Sequence, residues 1–161
     1  MSRIVIAVAS LGFFLITLDI SIVNVALAQI RAELGGGTTG QQWVIDGYTL
    51  VFAALLLCAG NLADRIGAKR SLALGIVIFA VTSAVCAFAP SLGWLIVARC
   101  AQGAGAAIML PASMSLIRET FPDPSRRASA LGVWAVGGAV AGLLIAWRLH
   151  SQDQRRTTSN R

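Results

Sequence analysis

The sequence predicts an all-α membrane protein with about five transmembrane helices, and three observations lead to this fold class. Hydrophobic residues make up 57% of the 161-residue chain and charged residues only 12%, with a mean hydropathy of +0.76. Apolar stretches of the length that crosses a bilayer, about 20 residues, recur along most of the chain. The connections between them are short and polar. No soluble domain fits between these stretches, so the expected partner of the chain is the lipid bilayer.

Five stretches meet the length criterion for a spanning helix, and they lie at residues 4–30, 42–62, 71–89, 92–117 and 128–147. The first is much longer than the apolar core of a signal peptide, which has about 7 to 15 residues, so we expect it to remain as an uncleaved span. Together the five form a partial helical unit, 1–147. The remaining residues, 148–161, turn abruptly polar and predict a disordered tail, as expected at the end of a truncated reading frame.

The distribution of Lys and Arg predicts the orientation of the chain. Alternate connections carry many basic residues on the side of the N-terminus: Arg3, Arg65, Lys69, Arg70, Arg118, Arg126 and Arg127. The opposite side has only Arg31 in its two inter-helix loops. Because basic loops stay in the cytoplasm, the N-terminus is predicted to be cytoplasmic. The basic tail does not follow this pattern, which leaves open both its side and whether the fifth stretch spans.

The sequence offers no pattern typical of a nucleic-acid-binding protein, a metal site or an enzyme. The net charge of +6 comes from loop residues rather than from one solvated basic face. Three cysteines lie inside apolar stretches without the spacing of a zinc site or disulfide framework. Gly103-Ala104-Gly105 resembles a dinucleotide loop, but Ile108 replaces its third glycine and no strand precedes it. We therefore expect no nucleic-acid partner, no metal, no cofactor and no enzymatic reaction.

Two ionisable residues lie deep inside predicted spans, Asp19 in the first and Arg99 in the fourth. The helical rise places them about 16 Å and about 10 Å from the same end of the bundle, so we expect neighbouring depths. Ionisable groups at membrane depth are costly and indicate function by default. Two interpretations stay open. The residues form an ion pair that only holds helices together, or Asp19 exchanges a proton when a cavity wets it, with Arg99 modulating that exchange.

Further polar and small residues lie on the same two predicted helices as Asp19 and Arg99. One face of the first helix carries Thr17, Ser21 and Asn24, while Asp19 points almost to the opposite side, which predicts that protein or a cavity surrounds this helix. In the fourth helix, Gln102 follows Arg99 on the same stripe. Gly103 and Ala107 have the spacing of small residues that allows close helix contact.

The connection after the second predicted span combines glycines with charged residues: Gly60, Asp64, Arg65, Gly67, Lys69 and Arg70. Gly60 is expected to allow close packing and Gly67 a tight turn. Asp64 is expected to pair with an arginine or to cap a helix, in a contact made in one conformation and broken in another. The alternative is a solvated hairpin loop, and the spacing alone does not decide between the two.

Three motifs resemble those of the major facilitator superfamily. The Gly60–Arg70 stretch is similar to its signature loop, and Leu95-x-x-x-Arg99-x-x-Gln102-Gly103-x-Gly105-Ala106-Ala107 is similar to its fourth-helix motif, which is associated with proton coupling. The stretch 18–27, LDISIVNVAL, resembles the first-helix motif of the drug:proton antiporter branch, whose members have about fourteen spans. The resemblance covers residues 4–142 and departs at Ala28 and Leu143, where the branch has proline.

The resemblance implies the N-terminal part of a helical bundle whose two halves surround a midplane site. It also implies a multi-pass plasma-membrane protein that exports drugs or small metabolites in exchange for protons, with the proton gradient as energy source and a small amphipathic molecule as substrate. Proton coupling and the substrate pathway would then involve Asp19, Asn24, Arg99 and Gln102, and the Gly60–Arg70 stretch would serve as a conformational latch. The alternative is a non-transporting membrane fragment or a partner of another membrane protein. Substrate identity and oligomeric state stay open.

Overall fold

A computed structural model describes residues 2–140 of the chain, and these residues form a bundle of long α-helices. The helices are α1 (Ser2–Leu34), α2 (Gly37–Ile66), α3 (Ala68–Ala87) and α4 (Leu92–Thr120), followed by α5, which begins at residue 124 and continues to residue 140. The described part of the chain contains no strand. The predicted all-α fold is confirmed. The end of the fifth predicted span and the polar tail lie outside the described residues.

Helices α1 to α4 are each long and apolar enough to cross a membrane. They expose many large apolar side chains, as lipid contact requires, including Leu57 at 87% exposure. A helix satisfies all its backbone hydrogen bonds internally, which is why helices suit the hydrocarbon interior. The chain is therefore an all-α, multi-pass membrane protein.

Most helix ends lie beyond the predicted spans, except that α3 ends at Ala87 rather than at residue 89, and two of the connections are shorter than expected. The predicted connection 31–41 reduces to Gly35 and Gly36, which have φ angles of 74° and 81°. The connection 63–70 reduces to Gly67 alone, with φ 88° and ψ 146°. Glycine adopts these backbone conformations without a Cβ clash, so a single residue is enough to reverse the chain. The expected turn at Gly67 is confirmed, but its flanking residues are helical rather than part of an extended loop.

Helix α4 lies at the centre of the bundle, between α2 and α3. Its buried side includes Ala106, Ala107, Met109 and Ala112, all of which are fully buried. Its backbone approaches both α2 and α3 closely. A Cβ at Gly103 would clash with the backbone oxygen of Tyr48 in α2, and one at Gly105 would lie 2.9 Å from the backbone nitrogen of Phe79 in α3. Small residues thus bring three backbones together, as the spacing of Gly103 and Ala107 predicted.

The close packing expected at Gly60 is not found among residues 2–140. A Cβ at this position would meet no atom within 4 Å, so Gly60 mediates no close packing among the described residues. The sequence showed a glycine near a helix end, but the position faces open space because α2 packs through Ala59 and Ala63, which are 4% and 2% exposed.

Helix α5 packs against the first half of α1. The rings of Phe13 and Trp134 stack with centroids 4.4 Å apart, and the Thr17 hydroxyl donates to the Gly138 carbonyl at 3.0 Å. The face of α1 that carries Thr17 therefore meets α5. The opposite face, with Asp19, is directed at α4. Of the predicted polar stripe only Thr17 meets α5, because Ser21 donates to the backbone oxygen of Thr17 at 2.8 Å and Asn24 is exposed.

Candidate functional site

Asp19 and Arg99 form the centre of a polar cluster between α1 and α4. Arg99 Nη1 donates to Asp19 Oδ2 at 2.6 Å. The side chains of Arg99 and Asp19 are 3% and 15% exposed, respectively, so the pair is largely removed from solvent. The prediction that the two residues lie at neighbouring depths is confirmed.

Gln102 completes the cluster from one turn further along α4. Its Nε2 donates to Asp19 Oδ1 at 2.7 Å and to Ser83 Oγ on α3 at 2.8 Å. Its Oε1 accepts from Arg99 Nη1 at 2.8 Å. Both oxygens of the Asp19 carboxylate are thus matched by a donor on α4, and Gln102 is 1% exposed. Since a buried charge is tolerated only when it is paired and hydrogen-bonded, these contacts explain how Asp19 remains inside the bundle.

Helix α2 holds Arg99 from the other side. Arg99 Nε donates to the backbone oxygen of Val44 at 3.3 Å. The guanidinium carbon lies 4.2 Å from the centroid of the Tyr48 ring. Val44 and Tyr48 are four residues apart and therefore share one face of α2. The arginine is consequently fixed by groups from two helices besides its own.

A cavity of about 440 Å³ opens onto the cluster. Asp19, Arg99 and Gln102 lie at its polar base together with Ser83 and Cys86. The walls are mainly apolar and lead toward the end of α1: Ile22, Val23, Ala26, Ile30 and Leu34. Glu33 also lines the cavity, and it accepts a hydrogen bond from Gln29 Nε2 at 2.8 Å. A carboxylate at the base of such a cavity is accessible to a proton or to a small cation that enters from this end.

Asn24 is not brought to this cluster. It is exposed, does not line the cavity, and its amide donates to the backbone oxygen of Ile20 at 2.7 Å. Its predicted place in the pathway is therefore not supported by a contact with Asp19, Arg99 or Gln102.

The charged residues around Gly67 are exposed: Asp64, Arg65, Lys69 and Arg70. Within residues 2–140 none of them forms an ion pair, and the one ion pair there joins Asp19 and Arg99. Helix α3 begins after Gly67 without a side-chain cap. Neither contact expected for Asp64 is made in this conformation, so the latch stays a prediction.

Two residues that contact the cluster were missed from the sequence. Ser83 and Tyr48 have no charge, and only the packing of α3 and α2 on α4 reveals their contacts with Gln102 and Arg99. Asp46, a further ionisable residue inside the predicted span 42–62, is not part of the cluster. It lies partly buried on α2, outside the cavity.

The fold and site define a polytopic helical membrane protein with a charged cluster at the base of a membrane cavity. The family model described as Major Facilitator Superfamily matches residues 9–147, and the chain belongs to this superfamily.

Several drug-resistance proteins are similar to this chain. The methylenomycin A resistance protein of Streptomyces coelicolor is 42% identical over 153 residues, which cover 90% of this chain and 32% of that protein. The protein of the same name from Bacillus subtilis is 42% identical over 140 residues, covering 87% and 30%. The multidrug efflux pump LfrA of Mycolicibacterium smegmatis is 39% identical over 149 residues, covering 91% and 30%. The chain thus spans about a third of the length of these relatives. Their names as drug-resistance and drug-efflux proteins agree with the drug:proton antiporter branch predicted from the first-helix motif.

Proposed function

We propose that this chain forms the N-terminal, proton-coupling part of a transporter that exports drugs or small metabolites. The observation that carries the proposal is the Asp19 carboxylate, which lies at the base of a cavity and is held by Arg99 and Gln102. An ionised carboxylate has about four lone-pair sites. Arg99 and Gln102 donate to one each, so a proton can bind Asp19 while both donors remain nearby. The proton gradient then supplies the energy, and the chain acts as a carrier rather than as an enzyme.

The same proposal includes the plasma membrane as location and a cytoplasmic N-terminus. The exposed basic residues beside Gly67 belong to the end of the bundle that the positive-inside rule assigns to the cytoplasm. The cavity is lined by Ile30, Glu33 and Leu34 at the opposite end of α1. In this conformation Asp19 is therefore reached from the outer side, as an exporter requires when it takes up an external proton.

Coupling requires that protonation of Asp19 changes its contact with α4. A neutral carboxyl no longer attracts the Arg99 guanidinium as a counter-ion, which favours separation of α1 from α4. Asp64 is solvent-exposed and is available for a contact in a second conformation, as proposed for the latch. The substrate is a small amphipathic molecule, because the cavity above Asp19 is mainly apolar.

The experiment is a chimera in which this chain replaces the aligned region of the Streptomyces coelicolor relative, assayed in everted membrane vesicles. We expect an imposed pH gradient to drive accumulation of methylenomycin A, and we expect a protonophore to abolish it. The matched control is the chain expressed alone, which should not transport because alternating access needs two halves. Accumulation that is insensitive to the protonophore, or a folded but inactive chimera, would refute the proposal.

A further inference from the structure

Arg99 has two independent sets of contacts. One set lies on α1 and α4, where the guanidinium meets Asp19 and Gln102. The other set belongs to α2, where Nε donates to the Val44 carbonyl and the Tyr48 ring faces the guanidinium carbon at 4.2 Å. The contacts with α2 do not depend on the charge of Asp19.

The Tyr48 ring is held firmly in place. It is 3% exposed and stacks on Phe52 with centroids 6.1 Å apart and an interplanar angle of 3°. Its backbone packs directly on Gly103 of α4. This arrangement presents the face of the ring, which carries the negative end of its quadrupole, to a cation.

The Tyr48 hydroxyl, by contrast, has no hydrogen-bond partner among residues 2–140, although it is buried. Buried hydroxyls are normally paired, because an unpaired one loses its hydration without compensation. The hydroxyl therefore does not explain why an aromatic residue occupies this position. The ring itself lies in the apolar core and faces Arg99.

From this geometry we infer that Tyr48 is a positioning residue that keeps Arg99 on α2 when Asp19 is neutral. Guanidinium stays charged under all physiological conditions, so loss of its carboxylate partner leaves a buried cation in need of another electrostatic contact. The ring face and the Val44 carbonyl provide that contact. Helix α1 can then separate from α4 while Arg99 remains in place to receive Asp19 again. The inference rests on the proposed function in one respect, that Asp19 alternates between charged and neutral states.

The test is a double-mutant cycle on the purified 161-residue chain, with the thermal midpoint in detergent as the measurement. Asp19→Asn imitates the neutral carboxyl, and Tyr48→Met removes the ring while retaining much of its volume. We expect Tyr48→Met to lower the midpoint at least twice as much in the Asp19→Asn background as in the parent chain. Equal effects in both backgrounds would show that Tyr48 only fills space and would overturn the inference.

Tyr48→Phe is the matched control, because it keeps the ring and removes the unpaired hydroxyl. We expect its midpoint to equal or exceed that of the parent chain in both backgrounds. A loss equal to that of Tyr48→Met would assign the effect to the hydroxyl and contradict the inference.

A second series keeps the test decisive if Tyr48→Met does not fold. Phenylalanines with one, two or three ring fluorines at position 48 progressively weaken the quadrupole at nearly constant volume. We expect the midpoint in the Asp19→Asn background to fall with each added fluorine, and a flat series would overturn the inference. Both experiments use the purified chain, so they remain interpretable if the chimera does not transport.

Discussion

Replacement of Arg99 by methionine is expected to destabilise the bundle by about 3 kcal/mol, the lower end of the range for breaking a buried ion pair. The Asp19 carboxylate, at 15% exposure, would lose its counter-ion. Gln102 Oε1 would also lose the Arg99 donor and keep only the Cys86 thiol, at 3.5 Å. The lower end of the range applies because the cavity lets some water reach Asp19. The measurement is the thermal midpoint of the purified chain, which should fall by roughly 6 to 12 °C.

A second substitution distinguishes the effect of losing the charge partner of Asp19 from the effect of losing the packing of the Arg99 side chain. Asp19→Asn in the Arg99→Met background removes the unpaired charge, so we expect it to recover a large part of the midpoint. Arg70→Met is the matched control, since Arg70 is exposed, and it should change stability by less than about 0.5 kcal/mol. A double variant no more stable than Arg99→Met alone would show that the ion pair is not what fixes α1 on α4.

Gly103→Ala is the second substitution with a large expected effect. The added methyl group would overlap the backbone oxygen of Tyr48, and neither backbone can move without disturbing the contact of α2 with α4. We expect a loss of about 2 to 3 kcal/mol, typical of overpacking in a close-packed interior. Because the Tyr48 ring lies beside Arg99, the shift would reach the polar cluster as well.

Gly93→Ala is the matched control for Gly103→Ala, on the same helix. A Cβ at Gly93 would meet no atom within 4 Å, so we expect no loss, or a small gain from the better helix propensity of alanine. The measurement is again the thermal midpoint in detergent, together with the monodispersity of the purified chain. Equal behaviour of the two variants would contradict the close approach of α2 and α4.

Much of this site could be predicted from the sequence, because membrane helices impose simple rules. Length and hydropathy located the spans, and the helical rise placed Asp19 and Arg99 at similar depths. The helical period put Gln102 on the stripe of Arg99 and gave Gly103 its role in helix contact. These are properties of single helices, so they need no knowledge of which helix packs against which.

The remaining features depend on tertiary packing and could not be derived from single helices. Ser83 and Tyr48 are uncharged, and their contacts with Gln102 and Arg99 arise because α3 and α2 both pack on α4. Asn24 is a polar residue inside a predicted span, as a site residue would be, but its position on α1 directs it away from the cluster. The helix ends were also missed, because hydropathy marks the hydrocarbon core whereas helices continue into the interface until a residue such as Gly67 reverses the chain.

We propose that Asp19 couples transport to the proton gradient, and Asp19→Asn in the chimera tests this role most directly. The variant is compared with the parent chimera in two assays, accumulation driven by a pH gradient and exchange of labelled for unlabelled substrate without a gradient. Glu119→Gln is the matched control, a carboxylate-to-amide change at an exposed position near the end of α4, and it should leave both activities unchanged.

We predict that Asp19→Asn abolishes gradient-driven accumulation and retains exchange, because exchange needs the substrate pathway but no net proton movement. Gradient-driven accumulation at the level of the parent chimera would show that Asp19 does not couple transport to the proton gradient.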